Sequence, residues 1–185
     1  MAYALSRLGA KRLTHSAYRM ASLFPSSTLG NHKYPGPVLG SDFPVEPPNP
    51  FHGMYAAVTR LNPATGTSPS GSGGWHPEES LTVEQAVLGF TKNGAYGWFR
   101  EGQAGSLAVG NWADWVVIDR DIWADESGRS LRDVTVKETW VGGRRVYAHS
   151  QLDNSDLGLF WLSMRLQQII SRARDWLSSG RTNEL

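Results

Sequence analysis

Gly105-Ser106-Leu107-Ala108-Val109-Gly110-Asn111-Trp112-Ala113-Asp114-Trp115-Val116-Val117-Ile118-Asp119 is where this chain changes from helical to extended patterning. Glycines punctuate an approach loop. The β-branched run Trp115 to Asp119 then reads as a strand. After a polar loop around Asp125 to Arg129, Val134 to Trp140 supplies a second strand. Gly142-Gly143 follows, leading into Arg145-Val146-Tyr147. Two glycines between extended runs predict a tight hairpin, because both central residues of the favoured turn need positive φ.

Upstream, the pattern is helical. Thr82 is a candidate N-cap with Gln85 three residues on, the spacing of a reciprocal capping box. Val83, Ala86, Val87 and Phe90 repeat at helical spacing, and Gly94 and Gly97 mark the fading end. Before that, Asn62 to Trp75 is dominated by Gly, Ser, Thr and Pro and predicts a surface loop. Phe51 to Leu61 predicts a short helix after the rigid stretch holding Pro44, Pro47, Pro48 and Pro50. Val38-Leu39 ends in Gly40-Ser41-Asp42, which suits the last turn of a buried strand. Tyr3 to Phe24 predicts a helix interrupted near Gly9 and closed by Pro25. Downstream, Leu159, Leu162, Leu166, Ile169, Ile170, Ala173 and Leu177 fall on one stripe of an expected C-terminal amphipathic helix.

The 185 residues suffice for one ordinary domain. A formal charge of +1 gives no reason to expect a nucleic-acid partner. No cysteine is present, so disulfides, thiol nucleophiles and thiolate metal sites are excluded. No apolar run is long enough to span a bilayer. A cytoplasmic location is expected. The alternative is mitochondrial, since Met1 to Ser41 contains no Asp or Glu but carries Arg7, Lys11, Arg12, Arg19 and Lys33 among serines.

Three phrases, in order, carry a family resemblance. The first is Leu39-Gly40-Ser41-Asp42-Phe43-Pro44-Val45-Glu46 with Asn49-Pro50 and Ala57-Val58-Thr59-Arg60. The second is Leu81-Thr82-Val83-Glu84-Gln85-Ala86 running to Phe90-Thr91 and Gly94-Ala95-Tyr96. The third is Gly105 to Asp119, closed by Val141-Gly142-Gly143-Arg144-Arg145-Val146-Tyr147. Together they resemble the C-terminal third of the amidohydrolase superfamily. The branch is amidohydrolase 3, or YtcJ-like, which includes N-substituted formamide deformylases. The likeness runs from about Leu5 to Tyr147.

The resemblance implies an α/β fold: the end of a metal-bearing (β/α)8 barrel joined to strands of a small β-sandwich. Residues 1–104 would be barrel-derived, with Val38 to Ser41 as the eighth strand. Residues 105–150 would be sandwich strands, and 151–185 a C-terminal helical extension. The Pro25 to Pro37 stretch departs from the family's short turn before that strand.

The resemblance also implies hydrolysis of non-peptide carbon–nitrogen bonds in small amide-type substrates, with Zn²⁺ or another divalent ion. It makes Asp42 both metal ligand and catalytic proton acceptor, at the strand tip where barrel enzymes keep their chemistry. The family's other ligands are a His-x-His pair, a mid-barrel carboxylate or carbamylated Lys, and two further histidines. His15, His32, His52, His76 and His149 form no His-x-His, and none falls at a family ligand position. Catalytic zinc uses about three protein ligands, and a full barrel takes about 250 residues. The expectation is therefore a truncated member that binds no metal and is inactive alone. The alternative is a non-catalytic binding or assembly module.

Glu46 and Arg60 are weaker candidates for a substrate pocket, with surface charge as the plainer reading. Asp114 and Asp119 are expected as turn and edge residues, and Trp112 and Trp115 as packing residues. Ser41 has no histidine at a readable distance, so a serine triad is rejected.

Overall fold

The computed structural model describes residues 6–24, 35–69, 71 and 73–149. The chain divides into a unit spanning Met1–Tyr147 and a second spanning Ala148–Leu185. The expected helix over Leu159 to Leu177 lies outside the described residues.

Helix α1 (Ala10–Ser16) starts after Gly9, whose φ of 75° breaks the helical path. It ends before the sequence pattern suggested. Ala17 is extended and Tyr18 has φ 57°, after which a short 3-10 turn covers Ala21–Leu23. The Tyr18 carbonyl accepts a bond from Arg60 Nη2 at 3.2 Å, and its ring meets Trp75 edge-on. These contacts draw the chain away from helical continuation.

Helix α2 (Pro50–Thr59) has Asn49 as N-cap, its side chain accepting from the Phe51 amide at 3.0 Å, with Pro50 at the first position. Phe51, Met54, Tyr55 and Val58 are buried, one stripe at helical spacing. Helix α3 (Val83–Phe90) opens on the expected capping box. Gln85 N–H donates to Thr82 Oγ1 at 3.1 Å, and Thr82 N–H donates to Gln85 Oε1 at 3.0 Å. Helix α4 (Lys92–Gly97) follows after a break at Thr91.

The sheet has three strands in the order β1 (Trp115–Ile118), β2 (Val136–Val141), β3 (Arg144–Ala148). Strands β1 and β2 are antiparallel, pairing Trp115 with Trp140 and Ile118 with Val136, with a register shift between Val117 and Ile118. Gly142 and Gly143, at φ 57° and 73°, make the β2–β3 turn, a conformation that side chains with a Cβ resist.

Helices and sheet share one core. Phe51, Tyr55, Val58, Leu61 and Ala86 cluster with Ile122, Leu131 and Val134, and Ile118 and Val136 pack against them. Leu131 is fully enclosed. It sits on the 3-10 turn Arg129–Asp133, which packs against α2. Leu131→Ala should therefore lower unfolding stability by about 3 kcal/mol, the usual cost of a cavity at an enclosed leucine. Urea titration checks this, and a change under about 0.5 kcal/mol, the range of surface substitutions, would show that Leu131 is not central.

Candidate functional site

The segment ending at Asp42 lies on α3 and α4. Leu39 N–H donates to the Gly89 carbonyl at 3.0 Å, and Asn93 Nδ2 donates to the Pro37 carbonyl at 3.0 Å. Contacts are close enough to require glycine. A Cβ on Gly89 would stand 2.6 Å from the Leu39 side chain, and one on Gly97 would stand 2.8 Å from Val38. Along the segment, Pro37, Leu39 and Ser41 are half-buried while Val38, Gly40 and Asp42 are exposed. This is the period-two alternation of extended backbone.

The expected eighth strand needs correction in one respect. Val38 to Ser41 is extended but belongs to no sheet among the described residues. A strand is defined by its ladder, and here the backbone bonds run to helices: Leu39 to α3 directly, Pro37 to a side chain of α4.

Asp42 itself has φ 50° and begins a tight turn. Its carbonyl accepts from the Val45 amide at 2.9 Å, and the Ser41 carbonyl accepts from the Glu46 amide at 3.2 Å. Asp tolerates this left-handed conformation better than most residues. Its carboxylate is exposed and has no hydrogen-bond partner among the described residues. Backbone bonds therefore fix the residue while its side chain stays open.

Among the described residues, the histidines form no group with it that could hold a metal ion. His15 is exposed on α1, His52 lies in α2, and His32 is outside the described residues. His76 Nδ1 pairs with Glu78 at 2.7 Å, its ring edge-on to Trp75. Among the described residues no three His, Cys, Asp or Glu groups are placed to hold a metal ion. Asp42 alone does not fit a divalent cation, which needs about three protein ligands.

Glu46 is exposed, but Arg60 is not a pocket or surface charge. It is buried at the left-handed C-cap of α2, where its Nε donates to the Trp75 carbonyl at 3.0 Å and its guanidinium lies 5.4 Å from the Trp75 ring centre. Burial lowers its pKa, and the charges of Glu79 and Glu78 oppose that shift. Glu79 also binds the Ser22 amide at 2.9 Å and Arg19 Nε at 3.3 Å. The Ser22 hydroxyl and amide hold the Glu79 carboxyl below its usual range, with Arg19 adding to the effect. No motif reveals these anchors in the sequence, because their partners lie 15 to 60 residues apart.

Asp114 and Asp119 are structural, as expected. Asp114 accepts from the Gly142 amide at 2.7 Å, pinning the hairpin turn. Asp119 accepts from Thr135 N–H at 3.0 Å and from both arms of Arg120. Trp115 stacks on Trp140 with centres 5.3 Å apart, and Trp112 meets Trp98 edge-on. Glu138 was not anticipated. Buried on β2, it accepts from Trp140 Nε1 at 2.7 Å and Arg145 Nη1 at 2.9 Å.

The amidohydrolase family profile matches residues 1–147. The chain belongs to the amidohydrolase family. It is 30% identical over 141 residues to Protein LONG AFTER FAR-RED 3 of Arabidopsis thaliana, covering 76% of this chain and 22% of that protein. To Putative amidohydrolase YtcJ of Bacillus subtilis it is 32% identical over 111 residues, 60% of this chain and 20% of the relative. To N-substituted formamide deformylase of Arthrobacter pascens it is 31% identical over 105 residues, 57% and 18%. No solved structure gave a significant match. The chain thus spans about a fifth of the length of these curated relatives. Amidohydrolases are generally metal-dependent and act on small molecules.

Acid should loosen the loop between β1 and β2. The Ser127 hydroxyl, then the Ser130 amide, hold Asp125 down at about 2; Arg120, then the Thr135 amide, hold Asp119 well below the usual range. Both folded pKa values are depressed, so their stabilisation is present above the unfolded value of about 3.9 and lost as pH falls through the folded ones. Asp125→Asn should flatten the acid limb of the stability curve between about pH 4 and pH 2. An unchanged limb in urea titrations across that range would mean Asp125 carries no such linkage.

Proposed function

We propose that this chain contributes Asp42, as metal ligand and proton acceptor, to a hydrolytic centre for non-peptide carbon–nitrogen bonds. The other ligands come from residues outside this sequence. Support comes from the family match over residues 1–147. Further support is the placement of Asp42, which ends an extended segment backed by two helices with its carboxylate open. The names of two relatives, an amidohydrolase and a formamide deformylase, favour small amides as substrates. On this reading residues 1–104 are barrel-derived and 105–150 belong to a companion sandwich. The change from helices to antiparallel sheet after residue 104 favours that division.

The single observation carrying the proposal is the open carboxylate of Asp42 at the end of an extended segment held on two helices; among the described residues no three His, Cys, Asp or Glu groups stand together to hold a metal ion. No hydrolytic step follows from one carboxylate, so the chain alone is read as a non-catalyst. Metal analysis of the purified chain after equilibration with Zn²⁺ tests this. The expected result is far less than one ion per chain, unchanged by Asp42→Asn. A tightly held stoichiometric ion that disappears in Asp42→Asn would show a self-sufficient site and defeat the composite reading.

A further inference from the structure

Asn93 is among the most enclosed polar side chains described, with 1% of its surface exposed. Its Nδ2 donates to the Pro37 carbonyl, but its Oδ1 is buried with no partner. A buried acceptor left unpaired costs at least as much as one neutral hydrogen bond returns. An apolar side chain of similar size would remove that unpaired acceptor, but it would leave the Pro37 carbonyl without its donor. What an apolar residue would not supply is the bond to Pro37.

That bond sits five residues before Asp42, on the side of the segment that faces the helices. Leu39, two residues on, bonds to Gly89 of α3, and Gly36, one residue before, is packed under Phe24 with a would-be Cβ 2.6 Å from that ring and 3.1 Å from Asn93 Nδ2. The segment is thus held at successive points by the helices, Val38 also lying close against Gly97 of α4. Beyond Leu39, Gly40 and Asp42 are exposed. We infer that Asn93 is a positioning residue for Asp42, its carboxamide clamping the Pro37 carbonyl to set the register and direction of the segment that presents the carboxylate. The functional half of this inference rests on the reading of Asp42 given above; the clamp itself does not.

Replacement by leucine separates positioning from stability. In Asn93→Leu the midpoint of urea unfolding should shift little, because the unpaired Oδ1 is removed while the Pro37 carbonyl loses its donor. Hydrogen-exchange protection of the Leu39 amide should nevertheless fall by about tenfold, the equivalent of one lost hydrogen bond, while Ala86 in α3 keeps its protection. In Asn93→Asp the carboxylate would face the Pro37 carbonyl and release the segment. On acidification the carboxylic O–H can donate again, so Leu39 protection, corrected for intrinsic exchange, should recover. Recovery at Leu39 without a matching change at Ala86 would mark the effect as local to the bond with Pro37. In the unsubstituted protein, NMR should show a slowly exchanging Asn93 side-chain amide proton coupled through a hydrogen bond to the Pro37 carbonyl, a measurement independent of whether either variant folds. The inference is overturned by unchanged Leu39 protection in Asn93→Leu, by equal losses at Leu39 and Ala86, or by a freely exchanging Asn93 side chain. Failure of the Asp42 reading appears in metal content and failure of the clamp in Leu39 exchange, so the two are told apart.

Discussion

Leu39 can lie against α3 only because residue 89 has no side chain: any Cβ there would be driven into the leucine. That close approach brings the Leu39 amide within reach of the Gly89 carbonyl. It also sets the distance at which Asn93 meets Pro37. The open placement of Asp42 follows from this seating, since the segment that ends there is held only where it meets the helices. Interior packing at crystal-like density leaves no slack for a larger residue at such a contact. The α2–α3 core, centred on Tyr55, Ala86 and Leu131, supplies the rigid base on which the segment rests.

Local features were legible in the sequence. The Thr82–Gln85 capping box, the Gly142-Gly143 turn and the strand over Trp115 to Ile118 depend on neighbours close in the chain, so residue type and spacing specify them. Asp42 was legible only through the family phrase around it; by itself Gly40-Ser41-Asp42 describes many turns. The early end of α1 was not legible, because Tyr18 is captured by Arg60 and Trp75 from elsewhere in the chain. Arg60 was misjudged for the same reason. Its surroundings are aromatic rings and carbonyls contributed by distant loops, and a lone arginine in sequence gives no hint of them. Asn93 carried no signal at all, because a single asparagine near a helix start is ordinarily a capping or surface residue.

Several charged groups among the described residues are already engaged, in two ways. Arg60 and Glu138 are buried and enclosed by donors, acceptors and rings, so their charge is spent inside the molecule. Asp114, Asp119 and Asp125 accept backbone amides and close turns. Asp42 differs from both, being held through its backbone while its carboxylate binds nothing described. On the proposed reading, an open carboxylate held through its backbone is what a ligand contributed to a shared centre requires. Three such contributions are normally needed before a cation is retained.

The sheet carries a consequence of its own. Among the described residues β1 and β3 are both edges, yet they differ sharply in how they would meet a foreign strand. Strand β3 places Arg144 and Arg145 side by side, and an intruding copy of itself would set like charges against each other, a common safeguard against sticking. Strand β1 offers Trp115-Val116-Val117-Ile118, uncharged and β-branched, with Val116 half exposed. Of the two edges, β1 is therefore the less guarded by charge.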